Sequence, residues 1–199
     1  MHDTYKTIKN PGEGYFKDKG SKFYAYTYPV QNEEEIKNIV SSLRKEHHSA
    51  RHHCFAWRLG TEQISHRYND DGEPSSTAGK PILRQLEHFG VTNILLVVVR
   101  YFGGTLLGTA GLINAYRSSA ADALKNSTII TKTIEEEYRL KYSYKEMNDV
   151  MRIIKQENLN ITDTQFAADC DLLFTVRKSE ANKIEKIFKQ FPGIIIEKI

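Results

Sequence analysis

Two segments of this sequence combine residue types and spacings that suit chemistry. The first is Arg100-Tyr-Phe-Gly-Gly-Thr-Leu-Leu-Gly-Thr-Ala-Gly111. An apolar run passes through Gly103, Gly104, Gly108 and Gly111 into a helical pattern. A strand that turns through glycines into a helix presents free backbone N–H groups and a positive dipole end to an anion. Arg100, Lys80 and Arg117 would add charge, and Tyr101 or Phe102 an aromatic face. The spacing is neither GxGxxG nor GxxxxGK[ST], so a standard nucleotide loop is excluded. The same glycines would also serve simply to permit tight turns and close strand-to-helix packing.

The second segment is Asp70-Asp71-Gly72-Glu73-Pro74. Its three carboxylates suit Mg²⁺ coordination or acid–base work, with His53 or His66 nearby. The spacing is not that of an EF-hand, and an acidic Gly/Pro turn reads equally well as a solvated loop or a helix cap. His47-His48 and His52-His53 flank Ser49-Ala50-Arg51. Along a strand, His52 shares a face with Cys54 and Ala56, while His53 shares one with Phe55 and Trp57. No HExxH-type spacing occurs, so a zinc site is not expected; no metal or cofactor is assigned. Tyr24, Tyr26 and Tyr28 would line one face of a strand, either as a stacking platform for bases or as a buried sheet face.

The elements that must hold these segments are legible from periodicity. Phe23–Tyr28 reads as a strand. Asn32 and Glu35 form a capping box for a helix over 33–46, with Ile36, Ile39, Val40 and Leu43 inward. His52–Leu59 and Glu62–Tyr68 read as a hairpin around Gly60-Thr61. Pro81 opens a short helix bearing Ile82, Leu83, Leu86 and Phe89, which Gly90 ends. Asn93–Val99 is apolar on both faces, as a covered central strand must be. The helix after the glycine turn runs to about Lys125, with Leu112, Ile113, Tyr116, Ala120, Ala123 and Leu124 inward.

Asn126–Lys132 reads as a linker, dividing the chain into domains at 1–130 and 131–199. The second part reads strand, helix, strand (160–167), strand, helix, strand, the βαββαβ order of a ferredoxin-like fold. Its helix stripes are Met147, Val150, Met151, Ile154 and Ile184, Ile187, Phe188, Phe191. The fold class is α+β.

The 199 residues are long enough for two cores. No apolar run approaches the roughly 20 residues of a membrane helix, no signal peptide is visible, and only two cysteines occur, far apart. A reducing cytoplasm is the expected location, without a membrane partner. The net charge of +3 is carried by the part up to Ile130 (16 Lys and Arg against 13 Asp and Glu), and all seven histidines lie there too. Such a charge is a weak argument for a polyanion partner.

Asp70–Leu83, followed by Val97–Leu112, closely resembles the IMPACT/YigZ family. Ser21-Lys-Phe23 and His53-Cys-Phe-Ala-Trp57 are similar to that family as well. Ser76 stands where the family usually has Gly, and Ala110 replaces the first Gly of a usual Gly-Gly pair. The resemblance implies a ribosomal-protein-type β/α N-terminal domain, like domain IV of elongation factor G, and a C-terminal domain like domain V. It also implies an association with RNA, the ribosome and translational control. Eukaryotic members restrain the kinase pathway that senses amino-acid shortage, partly through an added RWD domain; that role is not carried over.

The expectation is a non-enzymatic module that binds RNA or the ribosome and modulates translation. Lys80, Arg100, Tyr101, Phe102, Gly103, Gly104, Gly108, Gly111 and Arg117 would make the contacts. The alternative is a hydrolase of a phosphorylated or nucleotide-like substrate, built on Asp70, Asp71, Glu73, His53 and His66. A protein partner and the oligomeric state are left open.

Overall fold

In the computed structural model, which describes residues 3–166 and 169–199, the apolar run is a central strand with every residue from Ile94 to Arg100 buried. The pleat sends successive side chains to opposite faces. Ile94, Leu96 and Val98 enter one core, and Leu95, Val97 and Val99 another. That parity also separates Arg100 from Tyr101, a division that governs the site.

The chain divides into two compact units, residues 5–132 and residues 133–199 joined by residues 3 and 4. Across 5–132 the elements are β1 (Thr4–Ile8), β2 (Gly12–Asp18), β3 (Ser21–Pro29), α1 (Glu33–Glu46), β4 (His52–Leu59), β5 (Ser65–Asn69), α2 (Gly79–Phe89), β6 (Ile94–Tyr101), α3 (Gly108–Asn126) and β7 (Ile129–Thr133). Five of the strands form an antiparallel sheet ordered β2-β3-β6-β4-β5. Helices α2 and α3 pack on one face through Ile82, Leu86, Leu112, Tyr116 and Leu124. Helix α1 packs on the other through Ile36, Val40 and Leu43, against Trp57, Leu95 and Val97.

Local chemistry accounts for the helix ends. The Asn32 side chain accepts from the Glu35 N–H at 2.9 Å, and the Glu35 carboxylate accepts from the Gln31 N–H at 2.8 Å. Three glutamates in the first turn of α1, and Arg44 and Lys45 in its last, oppose the helix dipole. Gly90 ends α2 in the left-handed conformation, at φ +66°.

Three strands differ from expectation. The segment 126–132, expected as a linker, mostly forms β7, which pairs with β1. Strand β2 is not among the expected elements; its Gly12 and Gly14 admit the close approach of α3. A Cβ on Gly14 would lie 2.2 Å from the Ala123 backbone N. Ile113 of α3, expected inward, is exposed, while Ala115 is buried.

In the second unit the elements are β8 (Glu135–Ser143), a 3₁₀ turn (Tyr144–Glu146), α4 (Met147–Gln156), β9 (Asn160–Phe166), β10 (Asp169–Arg177), α5 (Lys178–Phe188) and β11 (Ile194–Lys198). The antiparallel order β11-β8-β10-β9 is the ferredoxin-like arrangement. Tyr138, Leu140, Phe174, Ile184 and Phe188 fill its core. Met151, expected inward, is exposed and Ile153 is buried. The expected end of β9 at Ala167 lies outside the described residues. No helix among the described residues is long and apolar enough to cross a membrane.

Candidate functional site

The acidic loop after β5 sends its three carboxylates to three different partners. Asp70 accepts from the backbone N–H groups of Ser76 (2.9 Å), Ala78 (3.1 Å) and Gly79 (2.8 Å). The amides at the start of α2 have no intrahelical acceptors, so Asp70 caps that helix from outside it. Asp71 accepts from the His53 N–H at 2.7 Å and from Arg44 Nη2 at 2.6 Å. Glu73, buried, accepts from Arg100 Nη1 at 2.6 Å and from the Tyr116 hydroxyl at 2.8 Å.

Arg100 is therefore not a free cation. Its side chain is 6% exposed and neutralised by Glu73. The guanidinium lies over the rings of Phe23 and Phe102, at 5.5 and 5.7 Å. Its Nε has no hydrogen-bond partner. Around the pair, Cys54 Sγ sits 3.0 Å from the Asp70 carbonyl and 3.3 Å from the Tyr116 hydroxyl. Burial raises both the Cys54 thiol and the Tyr116 phenol well above their ordinary ranges, so both stay protonated.

Register decides which histidine joins this group. His52 is directly opposite Arg100, whereas His53 is opposite Val99 on the other face. The ring of His52 bonds the Asp71 carbonyl through Nδ1 at 2.9 Å. A carbonyl only accepts, so Nδ1 is the donor, which leaves Nε2 as the ring's other polar atom. That Nε2 lies 4.0 Å from Glu73 Oε1. The sequence candidates are His53 and His66; the strand parity that groups His52 with Cys54 is the signal that could have singled out His52 instead. His53 is buried, with its Nδ1 3.8 Å from Asp71, and burial lowers its proton affinity. His66 is exposed on β5 opposite Arg58.

Gly103, Gly104, Thr105, Leu106, Gly108 and Thr109 are all exposed. The start of the turn is pinned: the Gly103 N–H donates to the buried Ser21 hydroxyl at 3.1 Å. A Cβ on Gly103 would lie 1.9 Å from the Gly20 carbonyl carbon, so only glycine fits there. Helix α3 then begins with no side-chain cap and no acidic residue in its first turn. The two neighbouring helices thus differ: Asp70 fills the N-terminus of α2, while that of α3 opens onto solvent.

This opening forms one wall of a cleft of about 380 Å³, whose other walls include Arg51, His52, Glu73, Arg100 and Phe102. Gly111 is half-buried within the first turn of α3. Three expected contact residues lie elsewhere. Arg117 is exposed, bonds Asn114 at 2.8 Å and lines a separate hollow with Gln85 and Asp122. Lys80 is exposed on α2 and does not line the cleft. Tyr101 points to the opposite sheet face, where its hydroxyl lies 2.8 Å from His47 Nδ1. Arg51, His52 and the Leu106–Leu107 pair, none of them anticipated, line the cleft instead.

Comparison with known proteins matches residues 19–124 to the Impact N-terminal domain. The chain is 41% identical over 152 residues to "IMPACT family member YigZ" of Escherichia coli, covering 75% of this chain and 74% of that one. An IMPACT family member of Haemophilus influenzae is 32% identical over 182 residues, 90% of this chain and 85% of its own. A crystal structure described only as that of a hypothetical protein aligns with a TM-score of 0.75 at 33% identity, covering 100% of this chain and 98% of that one.

Proposed function

The chain belongs to the IMPACT family, and from that premise we propose that it regulates translation by binding RNA, free or within the ribosome. One observation carries the reading: the N-terminus of α3 is uncapped and exposed in a cleft beside Arg51. Free helix amides and a positive dipole end are a ready seat for a phosphate. The seat needs no catalytic group, which fits a binding module.

The test must spare the fold. Arg100→Ala is a poor choice, because it strands the buried carboxylate of Glu73 without its ion-pair partner. Thr109 is exposed in the first turn of α3. An acidic residue there favours the helix by about 0.3–1 kcal/mol through the dipole, yet repels a phosphate. Thr109→Asp should hold or raise the melting temperature and cut RNA affinity at least tenfold in fluorescence anisotropy. Absence of binding to both RNA and ribosomes by the unaltered protein would sink the proposal.

One observation favours a second reading, a hydrolase of a phosphorylated substrate. The ring of His52 lines the same cleft and is oriented through Nδ1 by a carbonyl, as a general base would be. His52→Gln separates the two. A hydrolase would lose turnover of nucleotide substrates at unchanged stability, whereas a binding module would keep its RNA affinity.

A further inference from the structure

The sheet face opposite the phosphate cleft carries an aromatic groove that the function proposed above does not use. Helix α1 packs over the β6–β4 part of that face, with Tyr26, Tyr28 and Tyr101 partly buried against the same cluster, and a groove of about 540 Å³ opens beside it. Its walls are Lys22, Tyr24, Tyr26, His47, Tyr101 and Phe102.

Register arranges this end of the sheet in rows across β2, β3 and β6. The row nearest the glycine turn is Lys17–Lys22–Tyr101. The next is Tyr15–Tyr24–Val99, and the third Glu13–Tyr26–Val97. Charge thus runs from two cations, through a row of rings, to a carboxylate. Two lysines directly opposite one another repel, a cost that an anionic guest would remove.

The rings are both accessible and held. Tyr15 and Phe102 are each 44% exposed, and Tyr24 and Tyr101 are half-buried. The Tyr15 and Tyr24 centroids are 5.1 Å apart, and those of Tyr24 and Tyr101 5.8 Å apart. His47, at the end of α1, bonds the Tyr26 hydroxyl at 3.0 Å and the Tyr101 hydroxyl at 2.8 Å, using both ring nitrogens. Rings fixed in this way lose little freedom when a flat guest stacks on them.

Phe102 lines this groove and the phosphate cleft alike. From these observations we propose that the ligand is single-stranded RNA. Its backbone passes the α3 N-terminus and the Lys17–Lys22 row, and its unpaired bases stack on Phe102, Tyr101, Tyr24 and Tyr15. The inference rests on the RNA-binding reading and narrows it. A duplex has its bases stacked internally and cannot offer them to a ring platform, whereas any unpaired base can stack.

The experiment compares a fluorescently labelled single-stranded 12-mer of mixed sequence with the same strand annealed to its complement, by anisotropy on the full chain. The single strand should bind at least tenfold more tightly. Tyr15→Ala and Lys22→Glu, both at exposed positions, should each weaken it by roughly tenfold at unchanged melting temperature. Tyr24→Leu, which keeps an apolar side chain, should do the same. Equal or tighter binding of the duplex, or normal affinity in all three variants, overturns the single-strand track and leaves RNA binding standing. Binding of neither form, together with no binding to ribosomes, overturns both.

Discussion

Ser76 is held with φ at +63°, in the left-handed region. The constraint comes from Asp70, whose carboxylate bonds the Ser76 N–H. For a residue with a Cβ this conformation costs about 1–2 kcal/mol, a strain a glycine would not carry. Ser76→Gly removes that strain and loses part of the gain to the greater freedom of an unfolded glycine. The expected net gain is about 0.5–1 kcal/mol, read as a rise of roughly 1–4 °C in melting temperature. A fall would show that Ser76 contributes something its backbone does not reveal. His53 makes a second case. Burial first, and then the nearby Arg44 charge, hold its proton affinity below the ordinary histidine range. In the unfolded chain it titrates near pH 6.5, so on acidification the unfolded state takes up the proton first. The stability it contributes is full above about pH 6.5 and declines as pH falls below that value. Its Nε2 has no hydrogen-bond partner, so His53→Phe should flatten the decline in urea midpoint between about pH 7 and 5.5. An unchanged slope would assign the decline to other groups.

At the scale of elements, α2 and α3 start in opposite ways. Asp70 accepts three charge-assisted bonds, two of them at the start of α2 and one from the Ser76 N–H before it, and Asp70→Ala should cost about 2 kcal/mol or more in denaturant unfolding. That variant leaves the α3 N-terminus untouched, so its RNA affinity at low temperature should stay close to normal. A loss as large as that of Thr109→Asp would mean that the acidic loop itself meets the ligand. Much of this frame was legible in the sequence. The capping residues of α1 fix a start at Glu33, the unbroken apolar run fixes β6, and the helix stripes of the second unit give its βαββαβ order. Strands β1 and β7 were not, because they pair with each other from opposite ends of the first unit. Nor was β2, because its glycines answer to a helix packed upon it rather than to a turn. The glycine-rich turn and the Glu73 region were visible as candidates, but not the pairing of Glu73 with Arg100. A buried ion pair and an exposed cation site look alike in a string of residue types.

At the scale of the molecule, the question is how many positive charges the nucleic acid meets. The net +3 arises up to Ile130, but its cations do not share one surface. Arg100 is cancelled by Glu73, and Arg117 and Lys80 lie outside the cleft. Arg51 lines the cleft, Lys22 lines the groove, and Lys17 lies opposite Lys22 on β2. Three cations against a single strand give a slope of log affinity on log salt of about −2, since each neutralised phosphate contributes about −0.7. Between 50 and 200 mM salt, affinity should then fall roughly fifteenfold. If Lys80 and Arg117 also engaged, the slope would approach about −3.5, and Arg117→Ala would make it shallower by about 0.7. Lys22→Glu should flatten the slope while Arg117→Ala leaves it unchanged, and the reverse pattern would move the nucleic acid to the hollow beside Gln85 and Asp122.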